Sequence, residues 1–356
     1  MSNTNLIHAK RQKNDEFYTQ LRDIEKETSA YLEYDPDVFR DKTVLLPCDD
    51  PTWSNFTKYF ALNFERLGLK KLISTSYAAD GGHGKVFVLD GENELQWEYL
   101  TGDGDFRSAE VTALRDEADI VITNPPFSLF REFMVWLAEG EVDFAVLGNM
   151  NAITYKEIFP LIKDNKLWLG TKSLGGGMDM IFPKNTFDPT KVKKYTINED
   201  GNYIINIMGV CWFTNIEHGR RHEPLNLATQ AENQTHNKRI ISNANSYKKY
   251  DNYDAIEVPV VAGIPSDYTG VMGVPISFLD KHCPEQFEIV GNSAELAQSF
   301  YIDGKKKSSR FYVEGKRLYD RIAIRHINPV AQESTVQLAQ VHTLKTATPE
   351  QQQMAA

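Results

Sequence analysis

The segment Asn124-Pro125-Pro126-Phe127 carries the groups in this chain with the clearest chemical use. The amide oxygen of Asn124 and the carbonyl oxygen of Pro125, held by the proline that follows, can each accept one N–H of the same amino group. Two fixed acceptors draw a conjugated amine toward tetrahedral geometry and turn its lone pair toward an electrophile. Phe127 offers a ring face for a flipped-out nucleobase. The alternative interpretation is a structural clamp, with Phe127 in the core.

The neighbouring residues predict how this segment is held. Residues 120–122 are β-branched and apolar, which predicts a short buried strand. The two prolines exclude both regular helix and strand pairing, and the apolar spacing from Ser128 onward predicts an amphipathic helix. In open α/β sheets, ligands bind outside the carboxyl ends of the strands. The segment is therefore expected at a ligand-binding edge.

Two motifs resemble a known family. Asn124-Pro125-Pro126-Phe127 resembles the catalytic motif of amino-methyltransferases that use S-adenosylmethionine. Cys48-Asp49-Asp50-Pro51, followed by Ser54-Asn55-Phe56, is similar to a variant found in the EcoRI-type adenine-specific DNA methyltransferases. The resemblance extends over roughly residues 12–327 and implies direct transfer of the cofactor methyl group to N6 of a flipped adenine in double-stranded DNA.

The resemblance also implies a cofactor site. A Phe-Tyr-Thr segment binds the methionine end in that family, and Asp105 and Phe106 match positions that bind the cofactor's adenine. The usual Gly-x-Gly turn after the first strand is absent, so a carboxylate can face the cofactor's ammonium group, and which acidic residue makes which contact stays open. Where families of this fold usually have an acidic residue for the ribose hydroxyls, this chain has Ser74, Thr75 and Ser76, with Asp80 as the nearest carboxylate, so no ribose ligand is expected there. The implied residues are Phe17, Tyr18, Thr19, Cys48, Asp49, Asp50, Asn55, Asp105 and Phe106.

The charge distribution indicates where DNA would bind. A formal net charge of −10 argues against a nonspecific nucleic-acid coat. Basic residues nevertheless gather in segments 238–249 and 305–325, and this distribution matters more than the sum. The candidate DNA contacts are Lys248, Lys249, Arg310, Lys316 and Arg317.

The fold expected from the resemblance is an α/β, Rossmann-like, seven-stranded methyltransferase sheet with a C-terminal DNA-recognition region. Residues 12–220 are expected to form the catalytic core, with residues 203–213 as its closing antiparallel hairpin. Residues 221–327 are expected to form the target-recognition region, and residues 328–356 are predicted to be a disordered tail.

The expected setting is the cytoplasm of a bacterial host, with a bacterial or a phage gene. The three cysteines have neither disulfide nor metal-site spacing, and the sequence predicts no signal peptide, membrane span or metal site. The enzyme is expected to act as a monomer or weak dimer in restriction–modification or as an orphan or phage modification enzyme. A cognate restriction endonuclease is a compatible partner but not a required one.

Two rival functions remain open on the sequence. Asn-Pro-Pro-aromatic motifs also serve methyltransferases of RNA and of protein glutamine. The chain could instead be an inactive methyltransferase fold that binds DNA or a partner protein. The enzymatic interpretation requires one cavity that joins Asn124 to Tyr18 and Asp49.

Overall fold

The computed structural model describes residues 18–91, 97–184, 190, 192–302 and 304–329. Phe17 and almost all of the predicted tail therefore lie outside the described residues. The chain divides into two compact units between Arg221 and His222. In the described part of the chain, no helix is long and apolar enough to cross a membrane.

The first unit contains strands and helices in alternation. Its strands are β1 (Tyr18–Thr19), β2 (Thr43–Leu46), β3 (Lys71–Ser76), β4 (Lys85–Leu89), β5 (Trp97–Tyr99), β6 (Ile120–Thr123), β7 (Asp143–Asn149), β8 (Trp168–Leu169), β9 (Met178–Phe182), β10 (Thr196–Ile197), β11 (Tyr203–Ile207) and β12 (Val210–Thr214). Its helices are α1 (Leu21–Tyr34), α2 (Asn55–Leu62), α3 (Phe64–Leu67), α4 (Ala109–Glu117), α5 (Phe130–Gly140) and α6 (Phe159–Lys163). The 3₁₀ turns here are Phe127–Leu129 and Met150–Thr154.

The main sheet of the first unit has the strand order β5-β4-β3-β2-β6-β7-β12-β8. Its centre is parallel, because β2 pairs in parallel with both β3 and β6, and β6 with β7. The outer pairs are antiparallel. The described residues thus form eight strands where seven were predicted, and the α/β character is confirmed.

The central strands are apolar because both faces of the sheet are covered. Every residue of β2 and of β6 is buried, as are five of the six residues of β3. Such continuous apolar runs are typical of parallel strands that helices cover on both sides. The core next to them includes Phe56, Phe60 and Trp212.

The predicted closing hairpin is only half right. β12 does join the main sheet, antiparallel to β7. β11 instead pairs with β9 in a second, four-stranded sheet of order β1-β9-β11-β10. Tyr18 and Thr19 form the edge strand of this smaller sheet, paired with Ile181 and Met180. The local pattern of residues 203–213 predicted two strands correctly, but it could not show that they belong to different sheets.

The second unit has its own sheet. Its helices are α7 (Gln230–His236), α8 (Lys238–Ile241) and α9 (Ser293–Leu296). Its strands are β13 (Lys249–Tyr250), β14 (Tyr253–Glu257), β15 (Met272–Pro275), β16 (Phe287–Asn292), β17 (Tyr301–Ile302), β18 (Lys305–Lys306), β19 (Tyr312–Val313), β20 (Lys316–Arg317) and β21 (Arg321–His326). The 3₁₀ turns are Gly219–His222 (which spans the division), Val261–Gly263 and Ile276–Lys281. The five-stranded sheet has the order β13-β14-β15-β21-β16, and β17-β18 and β19-β20 are separate hairpins.

A buried ion pair crosses the middle of this second sheet. Arg321 on β21 donates three hydrogen bonds of 2.7–3.2 Å to the carboxylate of Glu257 on β14, which also accepts 2.6 Å from the hydroxyl of Tyr250. Removing one partner of a buried pair leaves an uncompensated charge, whereas exposed pairs contribute little.

We expect Arg321→Met to destabilise the second unit by roughly 3–5 kcal/mol, because Glu257 then stays buried without its counter-charge. The matched control is Arg325→Met on the same strand, whose pair with Glu288 is about half exposed, with an expected cost below about 1 kcal/mol. Hydrogen exchange of the β15 and β21 amides under mild urea measures both. Equal effects for the two variants would contradict the assignment.

Candidate active site

Three parallel strands end at one edge of the main sheet, and a cavity of about 340 Å³ opens there. β2, β3 and β6 each contribute the residues that follow their carboxyl ends. The lining residues are Tyr18, Thr19, Pro47, Cys48, Asp49, Asp50, Trp53, Ser54, Asn55, Phe56, Ser76, Tyr77, Gly104, Asp105, Phe106, Arg107, Asn124, Pro126 and Leu129. The structure thus places Asn124, Tyr18 and Asp49 in one cavity, as the enzymatic interpretation requires.

The Asn-Pro-Pro-Phe segment leaves β6 as a rigid turn. Asn124 and Pro126 line the cavity, whereas Pro125 is buried and is not among the lining residues. Phe127 begins a short 3₁₀ turn that leads into α5, and its ring packs against the hydrophobic core of the unit. Phe127 is not among the cavity-lining residues, so the stacking predicted for it stays a prediction.

Asp49 lines the cavity and is only 5% exposed. One carboxyl oxygen accepts a 2.6 Å hydrogen bond from the Ser54 hydroxyl, and the other accepts 2.6 Å from the Thr123 hydroxyl. Burial raises the pKa of Asp49 to about 7, although these two hydrogen bonds act to lower it. The carboxyl therefore changes protonation near neutral pH.

Asp50 differs from its neighbour because it carries a counter-ion. Burial acts to raise its pKa, but hydrogen bonds from Lys85 and Thr52 outweigh burial and hold the pKa below its ordinary value. The Lys85 ammonium lies 2.8 Å from the carboxylate. Asp50 therefore stays ionised at the cavity wall, which the partly exposed residue Cys48 also lines.

The strand β1 closes one side of the cavity. The side-chain amide of Asn55, at the start of α2, donates a 2.8 Å hydrogen bond to the carbonyl of Thr19. The rings of Tyr18 and Trp53 lie 3.9 Å apart between centroids. The Thr19 hydroxyl is buried and has no hydrogen-bond partner among the described residues. A buried hydroxyl beside a cavity is a group that a polar ligand can satisfy.

Residues 104–107 form another part of the cavity wall. Two side-chain nitrogens of Arg107 donate hydrogen bonds of 2.9 and 2.6 Å to the carboxylate of Asp105. These hydrogen bonds hold the pKa of Asp105 below its ordinary value. Arg107 also contacts Glu132 on α5 at 3.0 Å and covers the ring of Phe106. Phe106 is buried against Phe133. The predicted adenine-binding pair is thus held rigidly at the cavity.

Gly104 allows this wall to approach the end of β3. Its φ is +80°, and a Cβ there would lie 2.1 Å from the carbonyl oxygen of Ser76. The carbonyl before it, on Asp103, accepts a hydrogen bond from the amide of Ala78. Only glycine fits both the left-handed backbone and this close approach. The backbone of this segment therefore packs directly against the end of β3.

Sequence reasoning missed several lining residues. Ser76 and Tyr77 follow β3 directly, so the rule that ligands bind beyond strand ends was the signal that could have identified them. Trp53 and Arg107 gave no such signal. Their place at the cavity depends on a turn and on an ion pair that only the folded chain reveals.

The candidate DNA contacts all lie in the second unit. Lys248 pairs with Glu314, Lys249 with Asp254 and Arg310 with Asp320. Lys316 and Arg317 form the exposed strand β20. Most of these cations thus have carboxylate partners on the protein surface.

Comparisons with known proteins agree with one another. A family model described as "Adenine-specific methyltransferase EcoRI" matches residues 5–327. The type II methyltransferase M.EcoRI of Escherichia coli is 43% identical over 335 residues, which is 88% of this chain and 97% of that protein. M.MpnI of Mycoplasma pneumoniae is 37% identical, covering 89% and 96%, and M.MgeORF184P of Mycoplasma genitalium is 36% identical, covering 89% and 97%. No solved structure matches the chain.

An alanine in left-handed backbone costs roughly 1–2 kcal/mol. We expect Gly104→Ala to destabilise the first unit by clearly more than this. The excess arises because the new methyl group meets a backbone carbonyl that cannot rotate away. Gly81→Ala is the matched control, because Gly81 has the same φ of +80° and open space around its Cβ position. Urea unfolding compares them, and equal losses would exclude the clash.

We expect the stability of wild type relative to Asp49→Asn to fall as pH rises from about 4 to about 7. The folded pKa of about 7 lies above the ordinary value for an aspartate. The wild-type contribution is therefore complete below the unfolded pKa and is lost as pH rises through the folded pKa. The amide in the variant does not titrate, so the pH dependence of the difference in unfolding free energy comes from Asp49 alone. From the size of the pKa shift, this difference changes by on the order of 2–4 kcal/mol. Urea unfolding of both proteins at pH 5 and pH 8 measures it, and a pH-independent difference would contradict it.

Proposed function

The chain belongs to the adenine-specific methyltransferase EcoRI family, and we propose that it transfers a methyl group from S-adenosylmethionine to N6 of adenine in double-stranded DNA. The observation that carries the proposal is the single cavity that joins Asn124 to the β1 and Asp49 segments. The type II methyltransferases among its relatives support DNA as the substrate. The proposed setting is the cytoplasm of a bacterial cell, in restriction–modification or as an orphan enzyme.

The cavity residues fit S-adenosylmethionine, which when bound supplies an electrophilic methyl group. The cavity volume of about 340 Å³ is within the range of small-molecule sites. The Thr19 hydroxyl offers an unused hydrogen-bonding group for the polar methionine end. The negative charge of Asp50 suits an ammonium or sulfonium group, and the rings of Tyr18 and Trp53 give apolar and cation–π contact. Phe106 and Asp105 remain the proposed partners of the cofactor's adenine.

The catalytic step that the chain itself performs is orientation of the amine. The Asn124 amide oxygen and the Pro125 carbonyl each accept one N–H of the flipped adenine. This arrangement reduces delocalisation of the nitrogen lone pair into the ring and directs it into the cavity. No covalent enzyme intermediate is required. The nitrogen carries an extra proton after the transfer, and that proton leaves to solvent without a dedicated base.

The second unit is the proposed target-recognition region. Its candidate contacts are Lys248, Lys249, Arg310, Lys316 and Arg317. Surface ion pairs of this kind contribute only about 0–1 kcal/mol each, so a DNA phosphate can replace the carboxylate partner at small cost. Release of counterions from DNA then favours binding, which should weaken steeply with salt. The function proposed for residues 221–327 rests on this argument and on the family.

Two alternatives keep the fold and change the function. A methyltransferase of RNA or of protein glutamine could use the same cavity and the same acceptors. An inactive methyltransferase fold would bind DNA or a partner protein without turnover. The first alternative predicts label in RNA or in protein, and the second predicts no labelled product.

We expect the wild-type protein to transfer tritiated methyl groups to unmethylated genomic DNA, with N6-methyladenine as the labelled product after digestion. Asn124→Ala should lower this rate by about 100-fold or more, since it removes one of two fixed acceptors, while cofactor binding measured by calorimetry survives. Label in RNA or protein alone would overturn the choice of substrate.

The matched control is Asn63→Ala. Asn63 stands at the far end of α2 from the cavity and bonds to Tyr59 and Arg66. This variant should methylate DNA at nearly the wild-type rate. An Asn124→Ala protein that methylates as well as Asn63→Ala would refute the assigned role.

A further inference from the structure

The carboxyl group of Asp49 joins separate parts of the cavity wall. Ser54 is the N-cap of α2, and its hydroxyl both donates to Asp49 and accepts from the amide of Phe56. Thr123 is the last residue of β6 and immediately precedes Asn124. The side chains involved are almost completely buried, Ser54 at 2% and Thr123 at 0% exposure. One carboxyl therefore ties the start of α2 to the residue before the catalytic asparagine.

The backbone of Asp49 is anchored as firmly as its side chain. The backbone amide of Asp49 donates a 2.8 Å hydrogen bond to the carbonyl of Thr75. Its carbonyl accepts a hydrogen bond from the hydroxyl of Ser74. Both partners belong to β3. Asp49 therefore cannot move together with Thr123. The hydrogen bond from the Thr123 hydroxyl to Asp49 thus fixes the position of the last residue of β6.

We infer that Asp49 is a positioning residue for methyl transfer, which sets the placement of Asn124 through the hydroxyl of Thr123. This inference rests on the proposed function, and it goes beyond a role of Asp49 as a contact for the cofactor. A carboxyl that accepts a short hydrogen bond on each oxygen is already bound within the protein. Its neighbour Asp50, which is paired with Lys85, supplies the fixed charge instead.

The geometry gives a reason why the end of β6 must be held in a fixed position. The acceptors on Asn124 and Pro125 act only if both reach the same amine, and displacement by about 1 Å at such a site costs roughly 100-fold in rate. The prolines hold the turn rigid, but rigidity alone does not set where the turn begins. The bond between Thr123 and Asp49 fixes that starting point.

The same network reaches the side of the cavity where the cofactor's methionine end is proposed. Asn55, next to Ser54, holds the carbonyl of Thr19 at 2.8 Å. The Asp49 carboxyl therefore connects the strand β1 with the catalytic turn through α2 and β6. A loss at Thr123 should affect the chemical step alone, whereas a loss at Ser54 should affect cofactor binding.

The test compares Thr123→Val with Thr123→Ser. Valine keeps the shape and removes the hydroxyl, so the single-turnover rate of methyl transfer to unmethylated genomic DNA should fall by roughly 100-fold, with nearly unchanged dissociation constants for S-adenosylmethionine and DNA. Serine keeps the hydroxyl and should keep most of the rate. Equal rates for valine and wild type would overturn the inference.

Thr214→Val is the matched control. Thr214 is the last residue of β12 in the same sheet, is fully buried, and donates its hydroxyl to the carbonyl of Phe144. It loses a buried hydroxyl bond without touching the catalytic turn, so its single-turnover rate should match wild type. An equal loss of rate in both valine variants would mean that stability, and not positioning, explains the effect.

Hydrogen exchange of the free protein gives a readout without cofactor or DNA. Peptides covering residues 120–130 should exchange faster in Thr123→Val than in wild type, and not in Thr123→Ser or Thr214→Val. If wild type forms no N6-methyladenine, the proposed function fails, and the exchange data alone then decide whether Asp49 fixes this segment. Unchanged exchange in Thr123→Val would overturn the inference.

A double-mutant cycle separates the pair from other effects. If Asp49 acts through Thr123, then Asp49→Ala combined with Thr123→Val should lose no more chemical rate than the more damaging single variant, because both remove one contact. Additive losses would show that the two residues act independently and would contradict the inference. If Asp49→Ala does not fold, the Thr123 variants still decide the question.

Discussion

The parallel pairing of β2 with β3 and β6 is the constraint on which the site depends. Parallel strands end on the same side, so the residues after Leu46, Ser76 and Thr123 are brought to one edge although they are far apart in the chain. Helices cover both faces of such a sheet, which leaves this edge as the place where a ligand can enter. Pairing in the opposite sense would separate Asp49 from Asn124 by the length of a strand.

The cavity uses its carboxylates in different ways because their surroundings differ. Asp50 and Asp105 each have a basic partner, Lys85 and Arg107, and remain charged. Among the described residues, the partners of the Asp49 carboxyl are two hydroxyls, and burial raises its pKa to about 7. Carboxyl side chains thus have two roles here. Asp50 and Asp105 provide fixed charges at the cavity wall, and Asp49 links two segments through hydrogen bonds. Burial and the identity of the partner decide which role each residue has.

Local sequence predicted the strand and the turn that carry Asn124 to the cavity. The apolar run at 120–122 predicted β6, and the two prolines predicted the rigid turn after it. The family resemblance, and not the local pattern, pointed to the Asp49 motif and the Tyr18-Thr19 segment, which line the same cavity. The division of residues 203–213 between two sheets was not predictable, because a strand's own pattern does not show which neighbour it pairs with. The same limit applies to the eight-stranded width of the main sheet.

The sequence by itself determined the chemistry available to this protein: two hydrogen-bond acceptors on a proline-braced turn, several carboxylates, and aromatic rings near them. Only the tertiary structure decided which of these groups share a cavity, that Phe127 packs against the core, and that Thr123 bonds to Asp49 across 74 residues of chain. The physical reason is that residue types and spacing define local backbone preferences. Burial and hydrogen-bond partners depend instead on which distant segments the sheet brings together.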